Sequence, residues 1–487
     1  MLLAALLAAG LVLLACAAAL VLGGRRLLDR LVDRLLVRLL SDRYDENLWD
    51  LVIGITRMGP HVLFETELRA ETGRVLRRPL GSLVRVEVLS GLAFNPAQLV
   101  RLPAPPDAPV DLSTTLGPRA PRPLRVDFPV LVAGMAYGFG VHRQVALALA
   151  RGAEQAGTAY NAGGGPLLEE VASANRRLVL QYAGGAWTRN PERLGRAQMV
   201  EIRLGHGGRA ATGRILAAGE VPEEVRRALG GAEEQGEPLR IEAPLPGTTT
   251  PRQLRRLVAR LRGVTGGAPV AVKLVATDDL ELEVLALLDA GVDVLVIDGS
   301  EGGTRASPPV LQDDFGLPTA HALARVTRLL ERVGARGEVS LVMSGGLRTP
   351  GEVLKAIALG ADAAYLGTAV LMAATHGQIS KSVPVEPVTQ IAWSDGRLAA
   401  RFDTEKGART VAAFLRAFRE EMEEALRALG YRRIGQLSRA DLVARDPLAA
   451  EVFGLPVAWR APAGLPDGLP PTGGQGIAAR ERRHLSR

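Results

Sequence analysis

The chain of 487 residues holds one cysteine, Cys16, and it lies inside an apolar run. No intrachain disulfide can form from it. Neither a Cys-ligated zinc nor an iron–sulfur cluster can be built from this chain alone. A cysteine nucleophile is excluded from everything beyond that run. Lysine is almost as scarce: Lys273, Lys355, Lys381 and Lys406 are the only ones, so arginine carries most of the net charge of +7. Aromatic residues make up 4% of the chain and do not interleave with arginine. That excludes the base-stacking surfaces used on nucleic acids, so no nucleic-acid partner is expected. The six histidines show no metal-ligand spacing, and no metal site is expected.

Apolar and charged runs then divide the chain. Met1–Gly24 has no charged side chain and is long enough to cross a bilayer as a helix. Small residues near Cys16 would suit a cleaved signal peptide, but no basic stretch precedes the run. Arg25, Arg26, Arg30, Arg34, Arg38 and Arg43 follow it instead. The positive-inside rule makes 1–24 a single-pass anchor in the inner (cytoplasmic) membrane, with the rest of the chain in the cytoplasm. Residues 25–43 read as a basic amphipathic helix, with Leu27, Leu28, Leu31, Leu35 and Leu39 on one face. That face suits a lipid surface, or packing on the barrel or a second protomer. Residues 44–127 read as an irregular wrap and 456–487 as a flexible basic tail.

Between them, 128–455 carries eight short apolar runs separated by helical patterns. The runs are Pro129–Gly134, Thr158–Ala162, Leu178–Tyr182, Met199–Leu204, then 269–276, 292–299, 339–346 and 361–368. Three of them, 129–134, 292–299 and 339–346, end in glycine. This pattern predicts an α/β fold, a parallel (β/α)8 TIM barrel, with a C-terminal helical extension. An insertion over about 205–250 interrupts it after the fourth strand.

The last runs carry the chemistry. Ser344, Gly345 and Gly346 end the seventh strand, and Gly367 and Thr368 end the eighth. Glycines at these places let backbone N–H groups reach phosphate oxygens at helix N-termini. Two ordinary βα turns would look similar. Lys273, on the fifth strand, is a cation suited to the N1 edge of a flavin; a strand lysine reaching out to water is the plain alternative. Asp298, Glu301 and Thr304 follow the sixth strand, where a carboxylate serves as acid or base, or caps backbone groups. Glu301 is taken with Lys273 as the catalytic pair. Gly134, Met135 and Ala136 follow the first strand and suit packing against a flat ring. Asn161 and Gln181 lie on the second and third strands, and Gly302 and Gly303 in the loop after the sixth. Glu201, Arg203, His206 and Arg209 cluster at the fourth, where an anionic substrate can be gripped.

At these motifs the chain resembles the FMN-binding synthase domain of glutamate synthase in its stand-alone form. IDGSEGGTRASP, MVEIRLGHGGRAATG, AGTAYNAGGG and QYAGG match that family's segments in order, over about 129–447. The resemblance implies bound FMN and oxidoreductase chemistry on an amino or keto acid of the glutamate/2-oxoglutarate type. It implies a carboxylate held by Arg203, Arg209 and Arg305, with His206 beside them. The departures are also specific. The family's cysteine cluster is replaced by HGQISKSVPVEPVTQ, its GEGG glutamate is Gly164, and Arg209 and Arg305 replace a lysine and a glycine. No iron–sulfur cluster is therefore expected, and a separate electron donor or acceptor is implied. A barrel without turnover, serving as scaffold, and a nucleotide-using barrel of the inosinate dehydrogenase type are the rival readings. Self-association is left open.

Overall fold

The computed structural model describes residues 2–41, 49–229, 237–379 and 386–460, apart from some helix side chains among 2–51 and that of Ala218. The chain divides into two compact units, 1–76 and 77–487.

The first unit is helical. One helix runs from Leu2 to Ser41, followed by helices Trp49–Met58 and Pro60–Thr72. Two expectations change here. The apolar run and the Arg-rich run are one continuous helix, not two segments. Among the described residues no helix is long and apolar enough to cross a membrane, so the anchor expected over 1–24 is not supported; the side chains of 2–11 lie outside the described set. The second correction concerns 49–72, expected as irregular wrap. Pro60 occupies the first helical turn, where its missing N–H costs nothing, and Gly73 closes the last helix with a left-handed φ of 59°. The composition of the long wrap window was dominated by the Pro-rich chain that follows. The expected tail lies largely outside the described residues, since 461–487 is not described.

The second unit is the barrel. Its strands are β1 (Val130–Val132), β2 (Tyr160–Asn161), β3 (Leu178–Tyr182), β4 (Met199–Arg203), β5 (Val270–Val275), β6 (Val294–Asp298), β7 (Ser340–Ser344) and β8 (Ala363–Leu366). They pair in parallel in chain order, and β8 closes on β1 through Tyr365↔Leu131 and Leu366↔Val132. The strands are continuous apolar runs because both faces are covered. Outward residues pack under helices such as Arg143–Gln155 and Thr319–Arg332. Inward residues form layers. Leu131, Ala159, Val179, Met199, Ala271, Val294, Val296, Val342 and Ala363 fill the barrel centre. Leu116, Leu124 and Val126, from the ribbon Thr114–Leu116 with Leu124–Val126, join that cluster and plug the N-terminal end.

The insertion forms an antiparallel ribbon, Arg214–Leu216 with Leu239–Ile241, and a short helix, Glu223–Ala228. The helix Thr404–Ala428 lies on Arg143–Gln155. Gly152 allows that approach, since a Cβ there would stand 2.5 Å from Val411.

Candidate functional site

Two residues further up every strand but β1, the inward positions turn polar. Asn161, Gln181, Glu201, Lys273 and Tyr365 follow the apolar layer at period two, and Arg203, Asp298 and Ser344 follow at the strand ends. All but Arg203 are buried. Burial of so many polar groups requires mutual pairing. Lys273 Nζ stands 2.9 Å from Asp298 Oδ2, which also accepts the Gly207 N–H at 3.1 Å. Gln181 Nε2 and Asn161 Nδ2 both donate to Glu201 Oε1, at 2.8 and 3.1 Å, and Asn161 Nδ2 reaches the Tyr365 hydroxyl at 3.2 Å.

A cavity of about 660 Å³ opens above this layer, at the C-terminal mouth of the barrel. Lys273, Asp298, Gln181, Arg203, His206, Arg209 and Arg305 line it. So do Gly134, Met135 and Ala136, Glu301, Gly303 and Thr304, and Ser344, Gly345, Gly346, Gly367 and Thr368. The volume suits a cofactor with a substrate beside it.

One side of the cavity is built from backbone. Gly345 and Gly346 take φ of 106° and 70°, which a side chain would oppose, and Gly346 has Glu301 where a Cβ would stand 2.8 Å away. The helix Thr368–Thr375 starts at Gly367 with no side-chain cap on its first N–H groups, and Gly367 and Thr368 line the cavity.

The cationic side is built from β4 and the insertion. Arg203, Arg209 and Arg214 all line the cavity, and among the described residues none of them forms an ion pair. Burial, then Arg214 and Arg203, pull the Arg209 guanidinium down to about 10. Three unpaired guanidinium groups in one cleft are a site for an anion. His206 sits among them. Burial first, then Arg203 and Lys273, push its imidazole well below the ordinary range and keep it neutral. Burial opposes ionisation of Asp298, but the Lys273 charge, with hydrogen bonds from Lys273 and Ser344, holds that carboxyl below its ordinary value.

Several expected residues take other roles. Glu301 Oε2 accepts the Thr319 N–H and Thr319 hydroxyl, both at 2.9 Å, so it caps the helix Thr319–Arg332. Asp298 is the carboxylate at Lys273. Arg305 lines the cavity and pairs with Asp395 at 2.5 Å. Gly302 and Asn161 do not line the cavity. A Cβ on Gly302 would stand 2.8 Å from Gly207 Cα, and one on Gly207 would stand 1.9 Å from Gly299 O. Those glycines let the loops after β4 and β6 lie against each other. Asn161 belongs to the network below the floor.

Other functional residues were missed. Tyr365 was readable from the alternation Ala363, Tyr365, Gly367 along β8. Arg214 carried no signal, because the insertion has no barrel periodicity. Residues 78–90 strap the mouth. Arg78 and Ser307 exchange backbone hydrogen bonds at 2.9 and 3.2 Å, Leu80 N–H reaches Thr304 O at 2.8 Å, and Leu80 adopts a strained φ of 70°. Among the described residues no group of three His, Cys, Asp or Glu side chains is placed to hold a metal.

Comparison with known proteins gives the following. A family profile described as the conserved region in glutamate synthase matches residues 111–432. The archaeal-type NADPH glutamate synthase of Thermotoga neapolitana is 33% identical over 333 residues, which is 67% of this chain and 64% of that protein. The chain thus spans less than two thirds of the length of that relative. The glutamate synthase large subunit-like protein of Rhizobium meliloti is 30% identical over 419 residues, covering 82% of this chain and 93% of that one. Among solved structures, mandelate oxidase with (S)-4-hydroxymandelic acid is 20% identical with a TM-score of 0.48, over 72% of this chain and 87% of that one.

Proposed function

Because the chain belongs to the glutamate synthase family, we propose that it is an FMN-dependent oxidoreductase acting on an amino or keto acid of the glutamate/2-oxoglutarate type. The observation that carries this reading is the buried Lys273–Asp298 pair at 2.9 Å, set in a cavity that also gathers the glycine turns of β7 and β8. The residues present fit the cofactor. Gly345 and Gly346 hold the positive-φ turn that lines the cavity after β7, and the uncapped helix start at Thr368 offers N–H donors to a phosphate. Gly134, Met135 and Ala136 would lie against the ring. When bound, FMN supplies a hydride acceptor and donor at its N5.

The chain's own groups divide the remaining work. Lys273, oriented by Asp298, places a fixed positive charge where charge develops on a reduced ring. Arg203 and Arg209 hold a substrate carboxylate through paired N–H bonds, and Arg214 extends the positive field to the mouth. His206, kept neutral, retains a lone pair for a proton leaving the substrate nitrogen. Buried oxygens without a partner among the described residues include Gln181 Oε1 and Asp298 Oδ1, both on cavity-lining residues. They are acceptors only, which suits a substrate carrying N–H groups. Electrons would then pass to or from a separate partner.

The test is direct. Purified protein is expected to show flavin absorbance, or to acquire it with added FMN. Anaerobic mixing with glutamate-type amino acids should then bleach the flavin band. A colourless protein that takes up no FMN would sink the proposal.

A further inference from the structure

Glu201 is completely buried and does not line the cavity, yet the polar layer turns around it. An ionised carboxylate can only accept hydrogen bonds. Its Oε1 receives Gln181 Nε2 at 2.8 Å and Asn161 Nδ2 at 3.1 Å. Both amides therefore turn their NH2 ends toward it. Asn161 is held from its other end as well, since Asn161 Oδ1 accepts the Gly163 N–H at 2.9 Å. Among the described residues, the Gln181 side chain is held only by Glu201. Turning that amide over would place its carbonyl oxygen against a buried carboxylate, with no water to relieve the repulsion. The Gln181 carbonyl oxygen consequently faces away from Glu201. It is buried and has no partner among the described residues. It borders bare Gly164, whose Cβ would stand 3.5 Å from this oxygen.

We infer that Glu201 is a positioning residue that locks the Gln181 amide with its carbonyl oxygen toward the cavity, so that the occupant must supply an N–H donor at that point. Two sources carry this chemistry. An oxidised flavin ring has one N–H, at N3, and this arm rests on the FMN reading above. An amino acid offers its ammonium group, while the keto acid of the same skeleton offers none.

The experiment compares wild-type holoprotein with Glu201→Leu, which removes the acceptor, and Glu201→Gln, which keeps an acceptor oxygen. One readout is the resonance Raman N3–H bending band of bound FMN and its shift in D2O. The other is the affinity ratio of L-glutamate to 2-oxoglutarate, read by perturbation of the flavin spectrum. In Glu201→Leu either the N3–H band moves or the ratio changes by about tenfold, the size of one unmade buried hydrogen bond. A moving band assigns the donor to the ring, and a changing ratio assigns it to the substrate. Glu201→Gln retains the wild-type values of both. Wild-type values of both in Glu201→Leu overturn the inference, as does Glu201→Gln behaving like Glu201→Leu. If Glu201→Leu does not fold, Gln181→Met must show the same loss, and unchanged readouts there overturn the inference equally. A wild-type protein that takes up no FMN defeats the FMN reading. The ratio is then read by calorimetry on the protein as purified.

Discussion

Lys273 and Asp298 cannot be understood one at a time. Their charges are buried together, so removing one strands the other, at a cost of about 3–5 kcal/mol. Lys273→Met should therefore lower stability as well as slow flavin reduction, by about 10²–10³-fold if its charge stabilises the reduced ring. Lys273→Met with Asp298→Asn removes both charges. Most of the lost melting temperature should return, while the stopped-flow reduction rate stays low. A rate that recovers along with stability would show that the lysine acts only as a structural counter-charge. His206 gives a second residue-scale expectation. Its folded-state pKa lies below the unfolded value near 6.5. In acid the unfolded chain then binds a proton that the folded chain refuses. The stability contribution is complete above pH 6.5 and declines as pH falls toward the folded pKa, by about 1.4 kcal/mol per unit. His142, buried with Nε2 on Ile391 O at 2.8 Å, is lowered by burial and adds a term of the same sign. Denaturant titrations at pH 7 and pH 5 should show His206→Gln losing part of this pH dependence and His142 supplying what remains.

Among elements, the loops after β4 and β6 make the site by lying on one another. Gly207 and Gly302 are bare because each occupies space where the other loop's backbone passes. Gly207→Ala should cost about 2–4 kcal/mol, since its Cβ meets a carbonyl oxygen that cannot move without the whole loop. A calorimetric melting temperature within a degree of wild type would refute this packing account. Glu301 belongs to the same loop, and its tie to Thr319 is a helix-start bond worth about 1 kcal/mol. The eight barrel strands were legible in the sequence because each is a short, largely apolar run set between helical patterns, as a doubly covered parallel sheet requires. Lys273 was legible as a rare residue on such a run. The function of the loop glycines was only half legible. Gly345 and Gly346 take positive φ beside the cavity, with Thr319 and Glu301 where their Cβ atoms would stand, whereas Gly302 makes room for a neighbouring loop whose approach no local pattern reveals. Glu301 and Asp298 lie three residues apart, and only the turn between them decides which one meets Lys273. Arg305 pairs with Asp395, ninety residues distant in sequence, so no motif could foretell that contact.

At the scale of the molecule, the division at residue 76 separates two different kinds of structure. The first unit is a run of helices, and its described stretches expose Leu27, Leu28, Leu31 and Phe64. The second contains the whole barrel core and every residue that lines the cavity, from Leu80 to Trp393. The strap at 78–90 lies wholly within the second unit. It is fastened there by Arg78 on Asp313 at 2.6 Å, Ser82 on Asp313 at 2.8 Å, and Lys355 on Leu89 O at 2.9 Å. The far end of the unit is tied back as well, where Leu92–Phe94 pairs with Leu442–Ala444. A fragment that begins at residue 77 therefore keeps every described contact around the cavity, whereas one that begins at residue 92 loses the strap. The 77–487 fragment should fold cooperatively and bind FMN within about twofold of the full chain, a difference under 0.5 kcal/mol. The 92–487 fragment should retain barrel circular dichroism but bind FMN at least tenfold more weakly, because the loop after β6 loses its backbone partners at Arg78 and Leu80. Fluorescence quenching titrations with FMN measure both. Equal affinities for the two fragments would show that the strap covers the cavity without shaping it.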